Sequence, residues 1–201
     1  MYNMLNPYDN YIIVNYHYIR DPDPDLSGIH PCPPERFRGQ TAFLSERYRI
    51  VSPSELVRCA MEKRSGKYCA LTFDDGLKDQ YDNAVPILRE FGAPAAFFVI
   101  TGTLDGFLPA THRLHLMLSL FSTDELVGRL GEFVNERFPS RASEFLVPRD
   151  RRLNTTRSRF DDIPVANFKE RITTMHGTMK EDFFEWFFVE EGLDERSVAR
   201  R

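Results

Sequence analysis

Cysteine is scarce in this 201-residue chain: Cys32, Cys59 and Cys69 stand far apart, and no C-x-x-C pair occurs. That pattern excludes a disulfide framework and a zinc knuckle, and an odd number of isolated thiols fits a reducing compartment. Positive charge is also short, with 26 Lys and Arg against 30 Asp and Glu for a net charge of −4. No large basic surface is therefore available to a nucleic acid. No apolar run approaches the length of a membrane span. The opening residues, MYNMLNPYDN, have neither the basic start nor the apolar core of a signal peptide. A cytoplasmic location is the resulting expectation. Internal repeats, low-complexity tracts and glycine-rich phosphate loops are lacking as well.

What is present suits a soluble globular chain: 42% hydrophobic and 28% charged residues, enough for one domain with a sizeable core and marginal for two. The chain is organised around residues 67–76, KYCALTFDDG. Cys69 to Phe73 form a short, partly β-branched apolar run that reads as a strand buried on both faces, as in parallel sheets. Asp74 and Asp75 lie where the strand ends, and Gly76 lets the backbone turn behind them. Ligands gather at the carboxyl ends of strands in α/β sheets, so an acidic pair there is placed for chemistry. Adjacent residues of a strand point to opposite sides, which allows the two carboxylates different tasks. Two like charges this close repel, and a divalent cation makes the pair tolerable. The plainer reading of Asp74-Asp75-Gly76 is a turn that caps a helix starting near Leu77 or Lys78.

Residues 11–19, YIIVNYHYI, read as a second strand, with His17 near its carboxyl end, and the DPDPD stretch stops it. His17 is open to a simpler role as a hydrogen-bonded rim histidine. His30 falls in a proline-rich loop with a surface role. Pro34 opens a helix over 35–48, Ser52-Pro53 opens another, and 81–91 carries helical apolar spacing stopped by Gly92. Residues 93–101, APAAFFVIT, form a third strand. Strand, helices, strand, helix, strand gives a parallel α/β arrangement with right-handed crossovers. From Thr111 the chain turns helical: helices are expected from 111, over 123–138, over 161–179 and over 180–191. Between them, 139–160 is arginine-rich and poorly periodic and reads as a mobile loop. Its cluster of Arg149, Arg151, Arg152, Arg157 and Arg159 fits a solvated face.

Taken in order, YHYI (16–19), PPERF (33–37), VSPSEL (51–56), LTFDDG (71–76), AVPIL (84–88) and GAPAAFFVITG (92–102) resemble the polysaccharide deacetylases of the NodB-homology group, carbohydrate esterase family 4. The resemblance covers about half the chain. It implies an α/β fold, a partial (β/α) barrel of the glycoside hydrolase and deacetylase type with a helical insertion. Residues 1–110 would be the amino-terminal part of that barrel and 111–201 the helical insertion or extension. The activity implied is metal-dependent hydrolysis of acetyl groups from amino sugars or other acylated glycans. Matching motif positions make Asp74 the general base and Asp75 a ligand of a divalent metal, usually zinc, with His17 near the metal or substrate. Such chemistry needs these groups. A metal polarises a poorly electrophilic amide and acidifies its water, a carboxylate takes the water's proton, and an acid protonates the departing amine.

One part of the family pattern is missing. The His-[Ser/Thr]-x-x-His motif that supplies further metal ligands does not occur. His112 and His115 are three apart, on one face of a helix where ligation is sterically conceivable, but they come too early and read as rim or helix-surface histidines, and His176 stands alone. Three strands are counted where a barrel needs about eight. Residues 194–201, DERSVARR, are helix-like and charged without a stop signal. The expectation is the amino-terminal part of a longer deacetylase, inactive or incomplete alone, with an uncovered apolar sheet edge and poor solubility or oligomerisation. Two alternatives stand beside it. The first is a non-catalytic carbohydrate-binding or regulatory remnant of a deacetylase. The second is a magnesium-dependent phosphoryl- or glycosyl-transfer enzyme, weakened by the lack of a phosphate loop.

Overall fold

A computed structural model of the chain describes residues 10–106, 108–158 and 160–194. Of the expectations above, Arg159 and residues 195–201 lie outside them. The described residues divide into two compact units, 10–23 with 30–101, and 24–29 with 102–194. No helix among them is long and apolar enough to cross a membrane.

The first unit is a four-stranded parallel sheet with helices against it. Its elements are β1 (Tyr11–Tyr16), α1 (Pro34–Arg47), β2 (Arg49–Ile50), α2 (Pro53–Met61), β3 (Tyr68–Phe73), α3 (Val85–Glu90) and β4 (Ala95–Phe97). β3 is the hub and is buried at every residue, as the unbroken apolar run predicts. β1 pairs along its whole length, from Tyr11 opposite Tyr68 to Tyr16 opposite Phe73. A strand has two edges, so β2 and β4 share the other one: β2 takes Tyr68 and Cys69, β4 takes Leu71 to Phe73. The sheet thus has two faces of different character. Ile12, Val14, Tyr16, Cys69, Leu71 and Phe73 pack with Phe37 and Leu44 of α1 and Ile87 and Leu88 of α3. On the opposite face Tyr68 and Ala70 pack with Val51 and with Leu56 and Cys59 of α2. Each large side chain buried this way contributes about 1.5–3 kcal/mol of transfer free energy.

Two strand expectations change, and a further strand, β2, was not expected. β1 stops at Tyr16 instead of Ile19 because the next carbonyls are taken by other partners. Gln80 Nε2 donates to His17 O at 2.8 Å, Cys32 N to Tyr18 O at 2.9 Å, and Asn83 Nδ2 to Ile19 O at 2.7 Å. Once those groups bond elsewhere, no ladder can continue. The third strand shrinks to Ala95–Phe97, and its expected end coils into a 3-10 turn at Thr101–Asp105. The two-residue β2 is too short to carry any periodic signal. The helix expected over 81–91 opens instead as a π-helical turn, Gln80–Ala84, just before Pro86, which lacks the N–H that a regular turn would use.

The second unit is helical: α4 (Ala110–Leu120), α5 (Thr123–Arg137), α6 (Ile163–Thr174) and α7 (Gly177–Glu190). Ser122 and Glu125 form a reciprocal capping box at the start of α5. Aromatic rings dominate the core, with Phe183 edge-on to Phe133 at 5.3 Å between centroids and Phe121 edge-on to Phe187 at 5.1 Å. Residues 139–160 are not the open loop expected. Pro139–Phe145 forms a 3-10 helix that buries Phe145. Fully buried Asn167 then holds the following stretch, accepting from Leu153 N and donating to Pro148 O and Arg151 O, all within 2.8 Å. A polar side chain bonding backbone over long range leaves no periodic trace in sequence.

Candidate functional site

The acidic turn leaves β3 in the position its sequence implies. Asp74 N donates to Tyr16 O at 3.0 Å, which extends the β1–β3 pairing by one bond and fixes where Asp74 begins. Thr72 and Asp74 are two apart on β3 and share a face, and Asn15 of β1 is the register partner of Thr72. All three therefore emerge on the sheet face opposite α1 and α3. Thr72 Oγ1 donates to Asn15 Oδ1 at 2.8 Å, and Asn15 Nδ2 donates to Asp74 Oδ2 at 2.7 Å. The imidazole of His17, one residue beyond β1, lies with Nε2 3.7 Å from the same Asp74 oxygen. Asp74 and His17 are both part-exposed, open to a ligand from solvent.

Backbone geometry is fixed from behind by Gln80. Its Nε2 donates to Asp74 O at 2.6 Å as well as to His17 O, tying the ends of β1 and β3 together, while its buried Oε1 has no partner among the described residues. Asp75 adopts φ +75°, a left-handed conformation uncommon outside glycine. It thereby leaves the strand direction altogether, so the two carboxylates diverge by a turn and not by the pleat alone. Gly76 follows at φ +67°, and a Cβ there would meet Val99 Cγ1 at 2.9 Å and its Cα at 3.1 Å. Only glycine lets the segment after β4 close over the acidic turn.

A third acid belongs to the neighbourhood. Burial pushes the carboxyl of Asp79 up from its ordinary range, opposed by the backbone of Ile19 and the Arg20 guanidinium, and its Oδ1 has no partner among the described residues. Tyr18 is driven well above the usual phenol range, first by burial and then by the charges of Asp75 and Asp79. Asn15, Gln80 and Asp79 are the residues that sequence reading missed. Asn15 carried one signal, a polar amide in a β-branched and aromatic strand where asparagine is disfavoured.

The metal expectation meets an incomplete donor set. Among the described residues no group of three His, Cys, Asp or Glu side chains converges to hold an ion. A catalytic zinc site takes three protein ligands, and the described residues bring no such set together. His112 and His115 belong to α4 of the helical unit, with ring centroids 6.3 Å apart, and His112 is buried and not on the surface as expected. His176 is exposed at the start of α7, and His30 is exposed in its loop. A groove of about 600 Å³ lined by Val14, Tyr16, Arg36, Gly39, Gln40, Phe43 and Leu44 opens on the opposite sheet face, away from the carboxylates.

Comparison with known proteins gives the following. The family model described as polysaccharide deacetylase matches residues 61–118, which include β3 and the acidic turn. YxkH of Bacillus subtilis (strain 168), a protein named as a polysaccharide deacetylase, is 32% identical over 87 residues, 42% of this chain and 29% of that protein. The chain thus spans less than a third of the length of this curated relative. Among solved structures, a Streptococcus pyogenes deacetylase, PplD, in complex with acetate aligns at TM-score 0.44 and 22% identity, covering 64% of this chain and 69% of its own. IcaB from Ammonifex degensii aligns at TM-score 0.42 and 24% identity, over 55% of this chain and 49% of its own.

Proposed function

We propose that this chain, whose residues 61–118 match the polysaccharide deacetylase family model, carries the carboxylate half of a glycan deacetylase site. The reaction is hydrolysis of an acetyl group from an amino sugar or another acylated glycan. The observation that carries this reading is the Asp74 carboxylate, held at the carboxyl end of the central strand by Asn15 and beside His17. In this role Asp74 accepts the proton of the water that attacks the acyl carbonyl, and the same proton is then within reach of the nitrogen, which cannot leave as an anion. His17 lines the position of the acyl group. Asp75, turned away by its left-handed backbone, serves as a ligand of a divalent cation, zinc by family resemblance. Such a cation would polarise the carbonyl. The described residues bring no three metal ligands together, so the steps above are given to side chains alone. The four-stranded parallel sheet is, on this reading, the opening portion of a (β/α) barrel.

The lack of a three-ligand group among the described residues favours a second reading, a non-catalytic carbohydrate-binding or regulatory remnant of a deacetylase. Acetate release from an N-acetylglucosamine oligomer, measured with and without added zinc, separates the two. Release that disappears in Asp74→Asn supports the deacetylase. Oligomer binding by the native chain with no release under either condition supports the remnant.

A further inference from the structure

We propose that Asn15 is the positioning residue of this site: set by Thr72, its side-chain amide holds one oxygen of the Asp74 carboxylate and leaves the other for the proton transfer. The inference rests on the deacetylase reading, because it assigns a role relative to the base. Pairing register brings the three side chains together, since Asn15 lies opposite Thr72 and Asp74 follows two residues on. Direction follows from donors and acceptors. The Thr72 hydroxyl donates to Asn15 Oδ1 at 2.8 Å, which turns the amide nitrogen toward Asp74 Oδ2 at 2.7 Å. The reversed amide would set a carbonyl oxygen against a carboxylate, acceptor against acceptor. His17 also approaches Oδ2, so that oxygen is the tethered one, while Oδ1 has no partner among the described residues. Gln80 and Tyr16 fix the backbone on which this carboxylate swings. The rotations left to it, about Cα–Cβ and Cβ–Cγ, are what the Asn15 amide restrains. An exposed asparagine could satisfy its amide with water. Holding it in two directional bonds costs side-chain entropy that local solvation alone would not require.

The test uses the full 201-residue chain and two readouts. One is the side-chain amide resonance of Asn15 by NMR, identified by its loss in Asn15→Leu. A displaced amide proton is expected in the native chain and in Thr72→Ser, which keeps the hydroxyl. A return toward the free-amide position is expected in Asp74→Ala and Thr72→Val. The other is acetate release from an N-acetylglucosamine oligomer, in which Asn15→Leu should lower kcat about 10–100-fold while KM stays within about twofold. Thr72→Ser should keep native kcat, with Thr72→Val intermediate and adding nothing in the Asn15→Leu background. An amide resonance indifferent to the loss of Asp74, or full kcat in Asn15→Leu, overturns the proposal. Failure of the deacetylase reading looks different: Asp74→Ala keeps native turnover, or no form of the chain releases acetate while the Asn15 amide still responds to Asp74 and Thr72.

Discussion

Replacing Gly76 by Ala tests how tightly the acidic turn is closed. Two costs arise, and they have separate origins. At φ +67° an L side chain is strained by about 1–2 kcal/mol, partly offset by about 0.4–1 kcal/mol from the stiffer unfolded chain. The added Cβ would also lie 2.9 and 3.0 Å from the two methyls of Val99 and 3.1 Å from its Cα, an overpacking that costs about 1–3 kcal/mol. Together these give a loss of about 3 kcal/mol, a large share of the 5–15 kcal/mol that stabilises a typical domain. Val99 is half-exposed, so Val99→Ala alone should cost well under 1 kcal/mol while removing both methyl clashes. In that background Gly76→Ala should fall to about 1 kcal/mol, a coupling of about 2 kcal/mol across the turn.

The sequence supplies the assay. All eight tyrosines fall within the first 81 residues, and the single tryptophan is Trp186. Near-ultraviolet tyrosine dichroism in a urea titration therefore follows the sheet unit, and Trp186 fluorescence follows the helical one. The tyrosine-detected transition should move to lower urea in Gly76→Ala and recover most of the way in the double variant. A midpoint unchanged in Gly76→Ala, or the same loss with and without Val99, would refute the close approach on which the turn geometry depends.

Three further outcomes follow from the same structure. Asp75→Gly relieves the left-handed strain at φ +75° and should raise the tyrosine-detected stability by up to about 1 kcal/mol, while acetate release from the oligomer is lost. Stability of the sheet unit should fall in alkali: burial pushes the Tyr16 phenol up to about 12 and the Cys69 thiol to about 11, so the unfolded chain loses these protons first. Both contributions are complete below the unfolded values of 10.0 and 9.0 and disappear as pH rises through the folded ones. Tyr16→Phe should flatten the upper part of that decline in urea midpoints measured against pH. Asn167→Leu deprives three backbone groups between Pro148 and Leu153 of their partner, so a loss of about 2–4 kcal/mol should appear in Trp186 fluorescence, with faster hydrogen exchange at Leu153.

Much of the architecture was legible because it is written in local chemistry. The fully buried β3, the caps at Ser52 and Ser122, and the turn at Gly76 each follow from residues within a few positions. Failures occurred where distant partners decide. Ile19 looks as strand-forming as Ile12, but its carbonyl goes to Asn83, 64 residues away. Residues 139–160 look unstructured until Asn167 of α6 is placed against them. His112 looks like a surface histidine because helical spacing cannot show which face the second core covers.

The site divides the same way. Asp74, Asp75 and His17 were visible as chemistry-bearing residue types at strand ends, whereas Asn15 becomes visible only through register. A slip of one residue between β1 and β3 would place Val14 or Tyr16 opposite Thr72 and leave Asp74 facing an apolar side chain. What pins the register is the other face. Tyr16 stacks on Phe73 at 5.5 Å and meets Phe37 edge-on at 4.9 Å, and Ile12, Val14 and Tyr16 must all point into that core. Shifting them outward would forfeit several buried side chains at about 1.5–3 kcal/mol each. The hydrophobic face of β1 thus fixes the position of a polar amide on its opposite face, and through that amide the orientation of the carboxylate.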